Sequence, residues 1–272
     1  MAEANKEISI LGCGWYGLEL AKKLSSTDYQ VKGSTTSPEK LGMLKEAGIS
    51  PFLISFDESH ENFDPDFFNA PLLLVCIPPK RSEAQQHTFL TKIRKIALAA
   101  AAGKVKELLF ISSSSVYGDH NQEVDENTIP NPDTPSGKAM LEAEAHILNL
   151  PGIRGTIIRF AGLIGPDRDP GRFFAGKTAI PNGRAPVNLI HLKDCIGITT
   201  KILQEQAFGR TYNACNPDHP SRAQFYTAAA EKSGLALPQF NDELHSWKIV
   251  RSSNLSHEFS YTFETKLYSE PS

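Results

Sequence analysis

Cysteine is scarce in this chain of 272 residues. The four present, Cys13, Cys76, Cys195 and Cys215, lie far apart and form no C-x-x-C pair. A disulfide framework needs many cysteines, and a zinc ribbon needs closely paired ones, so the sequence predicts neither. We therefore expect buried, reduced thiols and no metal site.

Long apolar runs and an excess of one charge are also missing. The longest apolar runs, 72–77 and 96–102, are far shorter than the ~18–20 residues that span a bilayer, and residues 1–6 do not resemble a signal peptide. Lys and Arg number 28 against 31 Asp and Glu, and no block of like charge stands out. We expect a cytoplasmic protein with no nucleic-acid or membrane partner.

The composition that remains is that of a globular protein, with 40% hydrophobic and 22% charged residues. Strand and helix patterns alternate over the first 160 residues. Strands are predicted at 8–11, 29–33, 49–56, 72–77, 108–111 and 156–160, and helices at 18–24, 38–47, 82–102 and 135–148. This order predicts an α/β fold with a doubly wound, Rossmann-like parallel sheet.

A glycine-rich turn, Gly12-Cys13-Gly14-Trp15-Tyr16-Gly17, follows the first predicted strand and opens the first predicted helix. In a G-x-G-x-x-G turn the first glycine allows the tight bend, the second lets a pyrophosphate approach the backbone, and the third allows close helix packing. The helix N-terminus adds unpaired N–H groups. The pattern predicts dinucleotide binding by these six residues, and a turn that binds nothing is the alternative.

The end of the second strand indicates which dinucleotide binds. It reads Gly33-Ser34-Thr35-Thr36-Ser37 and lacks the acidic residue that commonly bonds the ribose of NAD. The hydroxyls of Ser34, Thr35 and Thr36, with Lys40 one turn further on, favour NADP over NAD, although the same residues can simply form a turn. Asp57, Ile77 and Pro78, which follow the third and fourth strands, are the other predicted cofactor contacts. Asp57 is placed to meet the adenine ring or to act as a surface cap.

The second half of the chain is less regular. Residues 162–186 contain five glycines and four prolines, which predicts a long loop over a site. Short strands at 187–191 and 210–214 flank a helix at 194–204, and Ser221 caps a last helix that runs to Lys232. We predict a dinucleotide-binding domain over 1–160 and a small C-terminal substrate lobe over 161–272, with 187–214 partly returning to the first domain.

Further motifs bring a family resemblance. The segment 112–118, Ser-Ser-Ser-Ser-Val-Tyr-Gly, resembles the "SS[ST]xVYG" segment of extended short-chain dehydrogenases/reductases, the NAD-dependent epimerase/dehydratase family. Segments 159–166 and 188–194 are similar to that family's "RxxxxxGP" and "NxIHVxD" segments. Segments 170–177 and 216–222 resemble its atypical, YeeZ-like branch.

The resemblance implies an NAD(P)-dependent epimerase, dehydratase or reductase whose substrate is a small molecule, such as a nucleotide sugar or an aldehyde. It implies that Ser113 bonds the reacting oxygen and that Lys138 is the family lysine. The family tyrosine, four residues earlier, is replaced by Thr134, whose hydroxyl is far less acidic than a phenol of pKa ~10. Two possibilities stay open: an enzyme with a non-standard active site, or a non-catalytic dinucleotide-binding sensor or scaffold.

Other residues are candidates for the proton-transfer role of the absent tyrosine. Tyr117, Asp119 and His120 follow the serine run, where ligands bind in open α/β sheets, but packing or loop roles are the commoner explanation for such residues. Predicted substrate contacts are Ser114, Ser115, Arg172 and Asn188. Similar proteins form dimers through the helices at 82–102 and 138–148, so a homodimer is expected, although burial against the chain's own sheet also explains these helices.

The loop after the second strand gives a first test. Calorimetric titration of the wild-type protein should show tighter binding of NADP than of NAD. Two hydrogen bonds to a charged phosphate, each of about 1.5–3 kcal/mol, separate the cofactors by about tenfold or more. Thr35→Asp should weaken NADP binding by charge repulsion. Tighter NAD binding by the wild type, or an unchanged NADP affinity in the variant, would contradict this assignment.

Overall fold

The structure is a computed structural model that describes residues 6–57, 60–79 and 83–267. The predicted helix start at Ser82 lies outside these residues. The strands are β1 (Lys6–Leu11), β2 (Tyr29–Thr35), β3 (Ser50–Leu53), β4 (Ser55–Phe56), β5 (Glu61–Asn62), β6 (Leu72–Val75), β7 (Glu107–Ser113), β8 (Gln122–Val124), β9 (Arg154–Phe160), β10 (Gly162–Ile164), β11 (Leu189–His191), β12 (Thr211–Ala214) and β13 (Lys248–Val250). The helices are α1 (Gly17–Ser25), α2 (Leu41–Glu46), α3 (Glu83–Ala102), α4 (Pro135–Leu148), α5 (Leu192–Gln204), α6 (Arg222–Lys232) and α7 (Ser253–Phe259).

Seven strands form the central parallel sheet in the order β12-β9-β7-β6-β1-β2-β3. β1 pairs in parallel with β2 on one side, where Ile10 is opposite Gly33, and with β6 on the other, where Ile10 is opposite Leu74. The strand order therefore reverses direction beside β1, and ligands in open α/β sheets bind at such a point. The predicted doubly wound, Rossmann-like fold is confirmed.

Burial on both faces explains why the central strands are apolar without alternation. Ile8, Ile10 and Leu11 of β1 are buried, and so are residues 73–75 of β6. The polar exception in β1 is Ser9, which is fully buried and donates a hydrogen bond to the carbonyl of Phe67. This bond satisfies the hydroxyl inside the core.

Two helices begin with side-chain caps, whereas the helix predicted from 38 begins at Leu41, after a short 3₁₀ turn over Pro38–Lys40. α4 has Thr134 as its N-cap, with Pro135 in the first turn, and the Thr134 hydroxyl accepts from the Gly137 N–H at 3.1 Å. Ser221 caps α6 with a reciprocal capping box to Gln224. α1 buries Leu20, Ala21 and Leu24, the predicted packed side.

Some sequence expectations differ from the structure. The predicted loop 162–186 begins with β10, which pairs in parallel with β11 because apolar Leu163 and Ile164 have partners in residues 190 and 191. The predicted strand 49–56 is interrupted at Ile54, so that β3 joins the central sheet while β4 pairs antiparallel with β5. The sequence did not indicate β8, β13 or α7, which are short.

The chain divides into two compact units, each made of several segments. The first contains Met1–Ser113, Thr134–Ile158 and Thr199–Thr211, and the second contains Ser114–Asp133, Arg159–Ile198 and Tyr212–Ser272. The predicted ranges, 1–160 and 161–272 with 187–214 partly returning to the first domain, stay a prediction. Among the described residues, no helix has the length and apolar character needed to cross a bilayer.

The aromatic core of the first unit provides a stability test. Phe67 is 0% exposed and packs edge-on against Phe52 and Phe68, at ring distances of 5.4 and 5.2 Å. Phe67→Ala should lower the free energy of unfolding by about 3–5 kcal/mol, because it leaves a cavity. Ile129→Ala is the control, since Ile129 is 87% exposed, and should change it by no more than about 0.5 kcal/mol. Urea unfolding measures both, and similar losses in the two variants would contradict the assignment of this core.

Candidate functional site

The glycine turn joins β1 to α1 at the point where the strand order reverses. Gly12 has a φ of +106°. Its N–H donates to the hydroxyl oxygen of Ser34 at 3.0 Å, and its carbonyl accepts from the thiol of Cys76 at 3.0 Å. The N–H of Cys13 donates to the Ser34 carbonyl at 2.8 Å. Side chains from β2 and from the end of β6 therefore hold the first glycine from both sides.

The other two glycines of the motif have opposite surroundings. A Cβ at Gly17 would lie 2.3 Å from the Gly12 carbonyl oxygen and 2.8 Å from the Cys76 sulfur, so only glycine allows α1 to start this close to β1. A Cβ at Gly14 would meet no described atom within 4 Å. The space beside Gly14 is therefore open to a ligand. Tyr16, the N-cap of α1, makes no side-chain cap hydrogen bond, while the N–H of Leu18 donates to the Gly14 carbonyl at 3.0 Å.

A pocket of about 260 Å³ lies beside this turn. Its lining includes seven predicted cofactor residues, Gly12, Cys13, Gly14, Ser34, Thr35, Thr36 and Ile77. It also includes Leu11, Ser37, Lys40, Ile54, Ser55, Phe56 and Lys92. Lys40 was indicated by the sequence, whereas Lys92 and the β4 residues come from distant parts of the chain and carry no local motif.

The predicted hydroxyls differ in whether they already accept a hydrogen bond from the protein. Ser34 is buried and accepts from Gly12, and the Thr35 hydroxyl accepts from the Ser37 N–H at 3.1 Å. Each keeps its O–H as a donor. Thr36 is exposed at the end of the strand. The pocket therefore offers hydroxyl donors and two ammonium groups, Lys40 and Lys92, and no carboxylate lines it among the described residues.

The remaining predicted cofactor residues lie outside the pocket lining. Tyr16 is buried, and its hydroxyl is 2.7 Å from that of Thr199 in α5. Trp15 is half-buried and Pro78 is exposed. Asp57 lies next to the pocket wall, where one of its carboxylate oxygens is 3.2 Å from the Lys92 ammonium group.

The two thiols of the site are donors, not nucleophiles. Burial raises the pKa of Cys13 to about 12 and raises the pKa of Cys76 well above its usual range. Both stay protonated at neutral pH, which matches the bond from Cys76 to the Gly12 carbonyl. Among the described residues no group of three or more His, Cys, Asp and Glu side chains could hold a metal ion.

The predicted catalytic residues lie on β7 and α4. Ser113 ends β7 and is half-buried. Thr134 uses its hydroxyl as the N-cap of α4. Lys138 lies on the exposed face of that helix, and its ammonium group makes no hydrogen bond or ion pair to a described residue. The packed face carries Met140 and Glu144 instead, and buried Glu144 accepts from the hydroxyl of Ser112.

Tyr117 is buried in the second unit and is bonded to several residues there. It is 1% exposed, and the Arg159 guanidinium lies over its ring at 5.0 Å and donates to its oxygen at 2.7 Å. Its hydroxyl is within 2.8 Å of the Asp125 carbonyl and 2.9 Å of the Asn213 side-chain oxygen. Burial raises the pKa of Tyr117 above its usual range, so it is a poor proton acceptor at neutral pH.

Other candidates in the second unit have structural partners. The Lys248 ammonium group donates to Asp119 at 2.6 Å, and the His120 ring nitrogen is 2.8 Å from the Asn131 carbonyl. The Asn188 amide bonds the backbone of β13 at the Lys248 carbonyl and the Val250 N–H. In contrast, the side chain of Arg172 is 80% exposed, and its Nε lies 3.9 Å from a carboxylate oxygen of Asp169. Ser114 is buried and Ser115 is half-buried.

Comparison with known proteins places this site in a family. The model of the NAD dependent epimerase/dehydratase family matches residues 80–215. Protein YeeZ of Escherichia coli K12 is 39% identical over 264 residues, which cover 95% of this chain and 96% of YeeZ. The chain belongs to the NAD dependent epimerase/dehydratase family. The predicted family and its YeeZ-like branch are thus confirmed.

Solved structures of similar fold support the architecture of this family member. UDP-glucuronic acid 4-epimerase from Bacillus cereus, in complex with NAD, superposes with a TM-score of 0.77 at 20% identity and covers 96% of this chain and 94% of that one. MoeE5, in complex with UDP-glucuronic acid and NAD, has a TM-score of 0.79 at 17% identity, with coverage of 96% and 95%. At these identities the likeness concerns the fold.

The different surroundings of Gly14 and Gly17 predict that alanine weakens dinucleotide binding at Gly14 and lowers stability at Gly17. Gly14→Ala should leave the unfolding midpoint close to that of the wild type, because the added methyl meets no described atom, but should weaken dinucleotide binding because it fills the open space. Gly17→Ala should instead lower the free energy of unfolding by about 1–3 kcal/mol through overpacking. Urea unfolding and calorimetry measure these effects. A destabilised Gly14→Ala, or one with unchanged affinity, contradicts the assignment of that space to a ligand.

Proposed function

We propose that this family member binds a nicotinamide dinucleotide at the glycine turn and uses it in epimerase- or reductase-type chemistry. The observation that carries the proposal is the open space at Gly14. It lies in a turn that is otherwise tightly packed, beside a helix start without a side-chain cap. A pyrophosphate group suits this place, because backbone N–H groups bind it and no side chain stands in its way.

The residues of the pocket suit the adenosine half of the cofactor. In this fold the adenosine ribose lies at the end of the second strand. There the chain offers Thr36 and Ser37, with the ammonium group of Lys40 beside them and no acidic residue among the described lining. These groups favour the 2′-phosphate of NADP, because they donate hydrogen bonds and carry positive charge. NADP is therefore the proposed cofactor, and NAD is the alternative.

Nucleotide sugars are the proposed substrate class. MoeE5, which shares the fold, is seen with UDP-glucuronic acid and NAD, and family membership makes such a substrate the first to test. Simple aldehydes are the second class. Ser114, Ser115, Arg172 and Asn188 stay the proposed substrate contacts; of these, Arg172 is the most exposed.

The bound nicotinamide supplies a hydride donor or acceptor. Ser113, at the end of β7, is proposed to donate a hydrogen bond to the reacting oxygen of the substrate and so orient it. The proton carrier cannot be the phenol of the family motif, because Thr134 stands there and its hydroxyl caps α4. Lys138 is the remaining charged group of the motif, and its ammonium group lies on the exposed face of the helix.

A non-catalytic sensor or scaffold is the second candidate function. It is favoured by α4, where Thr134 is committed to the helix cap and Lys138 lies on the exposed face. Binding would then alter the protein's interactions without turnover of the cofactor.

A homodimer and a cytoplasmic location are also part of the proposal. α3 and α4 pack together, and each leaves a leucine exposed, Leu98 at 72% and Leu148 at 46%. These side chains suit a helical interface between two copies of the chain. A monomeric mass by light scattering at micromolar concentration would contradict the dimer.

A turnover assay separates the two functions. The wild type is incubated with NADP or NAD and a panel of UDP-sugars and aldehydes, and nicotinamide absorbance and sugar products are measured. Turnover that falls by about 10²-fold or more in Ser113→Ala supports the enzyme, because that hydroxyl orients the reacting oxygen. Ser136→Ala is the matched control, since its hydroxyl lies in the first turn of α4, and should retain activity. Cofactor binding without turnover across the panel supports the sensor.

A further inference from the structure

One ammonium group of the pocket comes from an element that no dinucleotide motif includes. Lys92 lies in α3, yet it lines the same pocket as Gly12, Thr36 and Lys40. The side chain of Lys92 is 22% exposed. Lys40 is exposed at the surface in the short helical turn after β2. The two lysines therefore differ in how strongly solvent screens their charge.

The ammonium group of Lys92 has an acidic neighbour, Asp57. Its nitrogen is 3.2 Å from one carboxylate oxygen of Asp57, whose side chain is 64% exposed. The ammonium group of Lys95, one turn further along α3, donates to the backbone carbonyl of Asp57 at 2.7 Å. Two lysines thus converge on one exposed acidic residue just outside the pocket, and no acidic residue lines the pocket in the described part of the chain.

A phosphate monoester competes well with Asp57 for the ammonium group of Lys92. It carries about −1.5 to −2 charge at neutral pH and three acceptor oxygens, whereas Asp57 carries a single charge and is solvated. An anion in the pocket would therefore gain the half-buried ammonium group of Lys92 without leaving a buried charge unpaired.

We propose that Lys92 determines the cofactor preference, because its ammonium group binds the 2′-phosphate of NADP from α3 while Thr36 and Ser37 approach from the end of β2. The inference rests on the proposed dinucleotide site. It assigns the larger electrostatic contribution to Lys92 and the smaller one to Lys40. With NAD, which has no 2′-phosphate, Lys92 keeps Asp57 as its partner.

Calorimetric titration with NADP and with NAD tests the assignment. Lys92→Gln should weaken NADP binding by about tenfold or more and change NAD binding by about twofold or less, because only NADP has the charged partner. Lys40→Gln should cause a smaller loss for NADP. Lys95→Gln is the matched control: it removes a lysine from the same helix that also contacts Asp57 but does not line the pocket, and it should leave the ratio of the two affinities unchanged.

Ionic strength gives an independent measurement. Added salt should weaken NADP binding more steeply in the wild type than in Lys92→Gln, since the variant has lost one charge contact. Unfolding midpoints of all variants check that each is folded at the titration temperature. An unfolded Lys92→Gln is replaced by Lys92→Met, which keeps the apolar stem of the side chain.

The outcomes separate this inference from the proposed function. Wild-type protein that binds neither dinucleotide overturns both. If both dinucleotides bind and Lys92→Gln loses affinity for them equally, or if Lys95→Gln changes the ratio as much, the dinucleotide site stands and the role of Lys92 is wrong. A loss confined to NADP in Lys92→Gln supports it.

Discussion

The close approach of α1 to the end of β1 is the constraint on which the rest of the glycine turn depends. At Gly17 there is no room for a Cβ, which would lie 2.3 Å from the Gly12 carbonyl oxygen. That carbonyl is held by the Cys76 thiol, and the N–H of the same residue is held by Ser34. Side chains from β2 and from the end of β6, the two strands beside β1, thus hold the N–H and the carbonyl of Gly12, and the space beside Gly14 stays open.

Hydrogen bonds that build the turn also limit what the strand-end hydroxyls can do for a ligand. Ser34 accepts from the turn and Thr35 accepts from the Ser37 N–H, so both side chains are oriented by the protein before any ligand binds. Such preorganised donors cost little entropy on binding. The proposed preference for NADP then depends on the positive charge of the pocket, which comes from Lys40 and Lys92.

Helix geometry decides which side chains of α4 face the packed interior. A helix repeats every 3.6 residues, so Lys138 and Met140 point in directions roughly 200° apart. The face of α4 that packs inward carries Met140 and Glu144, and Glu144 is bonded to Ser112. Thr134 and Lys138 thus keep the spacing of the family dyad, while one caps the helix and the other is exposed.

Local signals in the sequence determined the doubly wound fold, the glycine turn, α4 and the Ser221 cap of α6, because apolar period, glycine spacing and cap residues act within a few positions. The sequence did not indicate β10, which needs β11 as a partner, or the break at Ile54. It also did not indicate Lys92, because only the crossover that packs α3 against the sheet brings this side chain to the end of β2. The tertiary structure alone decided which charges share the pocket, since distance in space, and not along the chain, sets an electrostatic interaction.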